Sequence, residues 1–148
     1  EKLIGEDNTG YSQNGNYSLQ IVKALCYKGL GNKSKAIEII EKQFMKKDYR
    51  SMPFDYYHIG VLYFEQNNLV KAKEYFENQI ANNDYFAEPY YYLSLISLKE
   101  NNKIEAKKMI DKALGYYSKG RKMTDPYTHI MDKIYEEDIK ILQKDLEN

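Results

Sequence analysis

A 34-residue repeat constrains the fold of this chain more than any other feature of its sequence. Tyr56, Ile59, Gly60, Tyr63, Ala72 and Phe76 return 34 positions later as Tyr90, Leu93, Ser94, Ser97, Ala106 and Ile110. Aromatic falls on aromatic, aliphatic on aliphatic and small on small, except where Tyr63 meets Ser97 and Phe76 meets Ile110. A third, weaker copy lies upstream: Ala36 precedes Ala72 by 36 positions, and Tyr27 stands nine before Ala36 as Tyr63 stands nine before Ala72. About two extra residues separate this copy from the next, and we place them around Lys47 to Ser51. A period of this length signals a stack of supersecondary units, each burying its apolar face on its neighbour.

Each copy divides into two helical patterns. Residues 56, 59/60 and 63 follow the i, i+3, i+4, i+7 rule of one helix face, and so do 69, 72, 75/76 and 79/80. Between the two patterns stand Gly31-Asn32, Asn67-Asn68 and Asn101-Asn102, polar doublets suited to a helix end and a turn. Pro53 and Pro89 sit near first helical turns, where a missing N–H costs nothing. The spacing predicts helices at 17–30, 34–47, 53–66, 69–82, 87–100 and 103–118. Thr124 or Asp125 then offers an N-cap, with Pro126 at the first helical position. Tyr127, Ile130, Met131 and Ile134 repeat the spacing of a leading helix, so one capping helix is expected to run to about Leu146. Its outer face would carry Asp132, Glu136, Glu137 and Asp138. The domain boundaries are therefore 1–16 for a polar, turn-rich arm, 17–52, 53–86 and 87–123 for three helix pairs, and 124–148 for a half repeat or long capping helix. The chain opens on Glu1 and not Met, which we read as processing or excision, and the apolar segment of a signal peptide is not visible.

Helix pairs at this period resemble the tetratricopeptide repeat. The match rests on an aromatic at position 4, an aliphatic at 7, a small residue at 8, Tyr at 11, Ala at 20 and an aromatic or aliphatic at 24. Tyr stands where the family usually has Trp, Asp84 where it has a closing Pro, and Gln79 at a position that is usually small. Gln20 and Lys23 fall at apolar positions of the first copy, so its leading helix is expected to pack in a shifted register. The resemblance implies an all-α fold, a right-handed superhelix of antiparallel helix pairs. In it Ala24, Gly60 and Ser94 on the leading helices, with Ala36, Ala72 and Ala106 on the second helices, let the axes approach. Tyr56, Tyr63, Tyr90 and Phe76 would fill the gaps.

It also implies a concave face lined by positions 2, 5, 9, 12 and 13 of the leading helices. These are Ser18, Ile21, Leu25, Lys28 and Gly29, then Phe54, Tyr57, Val61, Phe64 and Glu65, then Glu88, Tyr91, Leu95, Leu98 and Lys99; the half repeat adds Thr128, Asp132 and Tyr135. The lining is apolar and aromatic, unlike the Lys/Asn clamp with which some members hold a C-terminal carboxylate. Such a groove suits a peptide with apolar anchors, with Lys28, Glu65 and Lys99 setting its orientation. The competing expectation is that the N-terminal arm or the last helix covers these residues.

Composition narrows the function classes. Lys plus Arg is 22 and Asp plus Glu is 22, so a basic nucleic-acid-binding surface is not indicated. This neutrality hides a division: residues 17–124 carry 18 basic and 12 acidic side chains, and residues 125–148 carry 3 and 7. The acidic end is expected to be solvated helix face, with folding back onto the body as the alternative. One Cys excludes an intramolecular disulfide and a multi-Cys zinc site, and no apolar run is long enough to span a membrane. Cys26 is expected to be a buried, inert thiol, and His58 and His129 structural or exposed rather than catalytic. His129 and Asp132 alone give too few ligands for a metal. Gly29-Leu30-Gly31-Asn32-Lys33-Ser34 lacks phosphate-loop spacing and reads as an interhelical turn. No catalytic residue, cofactor or metal is expected.

The expected function is a noncatalytic protein- or peptide-binding scaffold, with a protein or peptide as partner and a monomer as the oligomeric state. A structural module that self-associates through its ends or its acidic last helix, and an accessory domain of a larger multidomain protein, are the alternatives. The Lys-, Asn-, Ile- and Tyr-rich usage is of the kind associated with AT-rich bacterial genomes. The compartment, cytoplasmic or exported, stays open.

Overall fold

The computed structural model describes residues 19–51, 53–123 and 132–148. Among them are seven helices and no strand: α1 (Leu19–Gly29), α2 (Lys33–Phe44), α3 (Asp55–Glu65), α4 (Leu69–Asn82), α5 (Glu88–Lys99), α6 (Lys103–Ser118) and α7 (Glu136–Glu147). α1 packs on α2, α3 on α4 and α5 on α6; the pairs stack through α2 with α3 and α4 with α5, and α7 closes the end on α6. The architecture is an all-α helical-repeat solenoid, as the period requires.

The doublets between paired helices divide two tasks. The first residue ends the leading helix in the left-handed region: Gly31 has φ 85°, Asn67 60° and Asn101 61°. Gly and Asn are the residues that adopt this conformation at low cost. The second residue caps the next helix. The side-chain oxygens of Asn32, Asn68 and Asn102 accept from the backbone N–H of Lys35, Lys71 and Glu105 at 3.1, 3.2 and 3.1 Å. In each turn the backbone N–H of the capping Asn also reaches back, to the carbonyl of Tyr27, Tyr63 or Ser97.

Within each pair the helices cross at small residues. Ala24 and Ala36, Gly60 and Ala72, and Ser94 and Ala106 are all buried. Ser94 Oγ donates to the Ala106 carbonyl on the opposite helix at 2.7 Å. Large side chains fill the remaining gaps: the Tyr56 ring lies 5.0 Å from Phe44 of the preceding pair, and Tyr63 stacks on Tyr75 within its own pair at 5.7 Å.

The family departures find local explanations. Gln79 is buried; its Oε1 accepts from Tyr57 N at 2.9 Å and its Nε2 donates to the Pro53 carbonyl at 2.7 Å, so it holds the start of α3. Asp84 accepts the hydroxyls of Tyr90 and Tyr116 at 2.7 and 2.9 Å, tying two helices together where Pro would only end one.

Four expectations need correction. α1 does not shift register: Ala24 keeps the crossing position, Gln20 is buried in the apolar slot, and Lys23 lies half-buried at the edge. Cys26 is exposed, because the buried residues of α1 lie on the face that carries Gln20, Ile21, Ala24, Leu25 and Lys28. α2 ends at Phe44, short of 47. The last helix is not continuous from Pro126: residues 132–135 are non-helical and α7 starts at Glu136. Its N-terminus is capped by Asp138, which accepts from Tyr135 N at 3.0 Å. The 1–16 arm, the Thr124/Asp125 cap with Pro126, and Tyr127, Ile130 and Met131 of the half repeat lie outside the described residues.

The crossing makes a paired prediction. A Cβ on Gly60 would stand 2.7 Å from Phe76 Cε1, while one on Gly115 meets nothing within 4 Å. Phe76 is fully buried, so its ring has little room to yield. Gly60→Ala is expected to destabilise by about 1–3 kcal/mol. Gly115→Ala, inside α6, is expected to stabilise by about 0.5–1 kcal/mol. Urea denaturation of both variants checks the pair.

Candidate functional site

The leading helices α1, α3 and α5 supply the face that the family resemblance implies is concave. Burial divides its expected lining in two. Ile21, Leu25 and Lys28 on α1 are buried, and Tyr57 and Val61 on α3 are 0% exposed. Phe54, Phe64, Tyr91 and Leu95 are half-buried. Glu65, Leu98 and Lys99 are exposed, Leu98 at 40%. The inner lining is therefore packed. Glu88 is buried too; Ser18 and Thr128 lie outside the described residues.

Two points of the chain after α6 help fill this face. Met123 is buried in one cluster with Tyr57, Val61, Phe76, Phe86, Leu93 and Ile96. Its N–H donates to both oxygens of Glu88, at 3.0 and 2.9 Å, and Ala87 N donates to the Arg121 carbonyl at 3.0 Å. Further on, Asp132 is 1% exposed. Its Oδ1 accepts from Lys28 Nζ, its Oδ2 lies 2.9 Å from His58 Nδ1, and its carbonyl accepts the Tyr57 hydroxyl at 2.6 Å. Lys28 has a second acid partner, Glu65, at 3.4 Å, and Glu65 also pairs with Lys33 at 2.9 Å.

Asp132 was expected on the outer face of a helix. It lies inside because its carboxylate meets two cation-forming groups from two different pairs, and a non-helical backbone at 132–135 lets it reach them. The tail thus folds back through one residue, while Glu137 stays exposed and Asp138 serves as a cap. Sequence reasoning named Lys28 and Asp132 separately as lining residues. It set His58 aside as structural or exposed, and no spacing rule links residues 74 positions apart.

The electrostatics of the two carboxyls run in opposite directions. Burial alone raises the Asp132 carboxyl, but the hydrogen bond and charge of His58 and the Lys28 ammonium outweigh it and hold it below the usual 3.8. An ionised carboxylate only accepts, so His58 Nδ1 carries the proton of that bond. At Glu88 the balance differs, and the charges of Lys122 and Lys133 are smaller effects than burial. Burial pushes its carboxyl up to about 7 despite the hydrogen bonds to Met123 N and its own backbone. Burial likewise pushes the Tyr57 phenol well above its ordinary value. Among the described residues no group of three or more His, Cys, Asp or Glu is placed to hold a metal, and no helix is long and apolar enough to cross a membrane.

Because the Asp132 carboxyl is depressed, its stabilisation is present above the ordinary aspartate value and lost as pH falls through the folded one. Asp132→Asn is expected to cost about 1–3 kcal/mol near neutrality, with Glu65 left to Lys28. The gap to the parent chain closes in acid, which thermal melts at a series of pH values will show. Glu88 has the reverse sign: its raised pKa makes folding less favourable as pH rises from its ordinary 4.5 through about 7. Glu88→Gln should flatten that part of the melting-temperature profile.

Comparison with known families agrees with this geometry. The tetratricopeptide repeat model matches residues 17–44 and 56–83. These cover the first two helix pairs, and α5 with α6 repeats their packing. No curated protein matches the chain significantly. The chain thus carries two matched tetratricopeptide repeats, at residues 17–44 and 56–83, within a stack of helix pairs.

Proposed function

We propose that the chain is a noncatalytic protein-binding scaffold that takes a peptide segment of its partner along the face of its leading helices. Tetratricopeptide repeats generally serve protein–protein interaction. The observation that carries the reading is the composition of the accessible lip. Leu98 is exposed beside Lys99, the Lys99 ammonium lies 5.9 Å from the Phe64 ring centre, and Glu65 stands exposed at the end of the same helix as Phe64. An apolar anchor flanked by both signs of charge favours a partner with an apolar side chain and a defined direction. Tyr91 and Leu95 continue the lip as half-buried walls.

Self-association through α7 has less support. Its buried residues Ile139, Leu142 and Leu146 face the body, and Ile141 stands exposed among Glu137, Lys140, Lys144 and Asp145.

Selection of a displayed peptide library against the full chain tests the reading. We expect a binder that Leu98→Asp with Lys99→Glu weakens by at least about tenfold, or ~1.4 kcal/mol. Failure to select any peptide, or a binder indifferent to both substitutions, would overturn it.

A further inference from the structure

We infer that Lys28, His58 and Tyr57 form a recognition site for an extended segment presenting an acidic side chain. Asp132 occupies that site in cis, and an acidic residue of a protein partner exchanges with it. The inference rests on the scaffold reading and names the chemistry of its partner.

The contacts of Asp132 are those of a bound peptide residue. Lys28 and His58 take the two carboxylate oxygens, and Tyr57 takes the main-chain carbonyl. A backbone contact beside a charged side-chain contact fixes both the position and the direction of an extended strand of chain. On the C-terminal side the chain bends at Asp132, residues 133–135 are non-helical, and Tyr135 is extended at φ −95°, ψ 153°. The occupant comes from far along the chain, 104 residues from Lys28. It thus reaches the site from beyond the three helix pairs.

The seat is also built to be vacated. An ionic plug is a weak source of stability compared with an apolar one of the same size, because its charges must be desolvated. Lys28 keeps an acid partner at 3.4 Å in Glu65, which is itself exposed and shared with Lys33 at 2.9 Å. Departure of Asp132 therefore does not strand the buried ammonium. Glu65 continues into the exposed lip, so an incoming segment can engage the lip before it meets the inner site.

The experiment uses a labelled peptide of residues 128–136, Thr-His-Ile-Met-Asp-Lys-Ile-Tyr-Glu, added in trans. Fluorescence anisotropy should show it binding Asp132→Ala chain at least about tenfold more tightly than the parent chain, where the tethered copy competes at high effective concentration. Replacing its Asp by Asn, or adding Lys28→Met to the chain, should each cost at least about tenfold. A folded Asp132→Ala chain that ignores the peptide, or binds the Asp and Asn forms alike, overturns the inference. The Leu98/Lys99 test of the scaffold reading stands apart from this result. Should Asp132→Ala not fold, thiol labelling of Ile134→Cys in a Cys26→Ser background decides. Labelling that is insensitive to low urea reports local release and supports exchange; labelling that follows the full denaturant slope of global unfolding overturns it.

Discussion

The close crossing of paired helices at small side chains is the constraint on which the remaining packing rests. Gly60 leaves room for the Phe76 ring, and Ser94 reaches the Ala106 carbonyl directly. With the axes this near, the aromatic residues of one pair extend into the next. Phe76 stacks on Tyr92 at 5.1 Å, and Tyr92 in turn meets Phe64 edge-on at the same separation. Tyr57, at 5.4 Å from Phe86, joins this network from the face of the leading helices. The core of one pair is thus continuous with the face that a partner would approach. A repeat stack gains stability largely through such nearest-neighbour interfaces.

The face of the leading helices is closed by chemistry different from that of the core. Met123 enters as an apolar side chain held by its backbone to Glu88, whereas Asp132 enters as a charge. His58 and Lys28 outweigh burial at Asp132, whereas at Glu88 burial outweighs the charges of Lys122 and Lys133. Asp132 and Glu88 therefore respond to pH with opposite sign. What stays accessible is the rim at the ends of α3 and α5, where Glu65, Leu98 and Lys99 meet solvent.

Much of the fold was legible because it is local and repeated. The 3.6-residue pattern marked both helices of each pair, and the Asn doublets marked the turns, whose division into terminator and cap the structure then revealed. Several exceptions share one physical cause: a polar residue in an apolar slot can be buried if a distant group satisfies it. Gln20 and Gln79 occupy such slots without displacing their helices, and Gln79 does so by bonding Tyr57 N and Pro53 O. Asp84 replaces a Pro by binding two tyrosines from different helices. Cys26 sits outside because helical phase, not residue type, decides its side of α1.

The sequence by itself determined the period, the paired helices and the small crossing residues, since all of these repeat within about 34 residues. Tertiary structure alone decided that the inner lining is closed, that His58 is half of an ion-pairing cradle, and that the last helix starts at Glu136. These follow from contacts 74 and 104 residues apart, in which the low dielectric of a buried site makes a carboxylate seek cations that no local pattern announces.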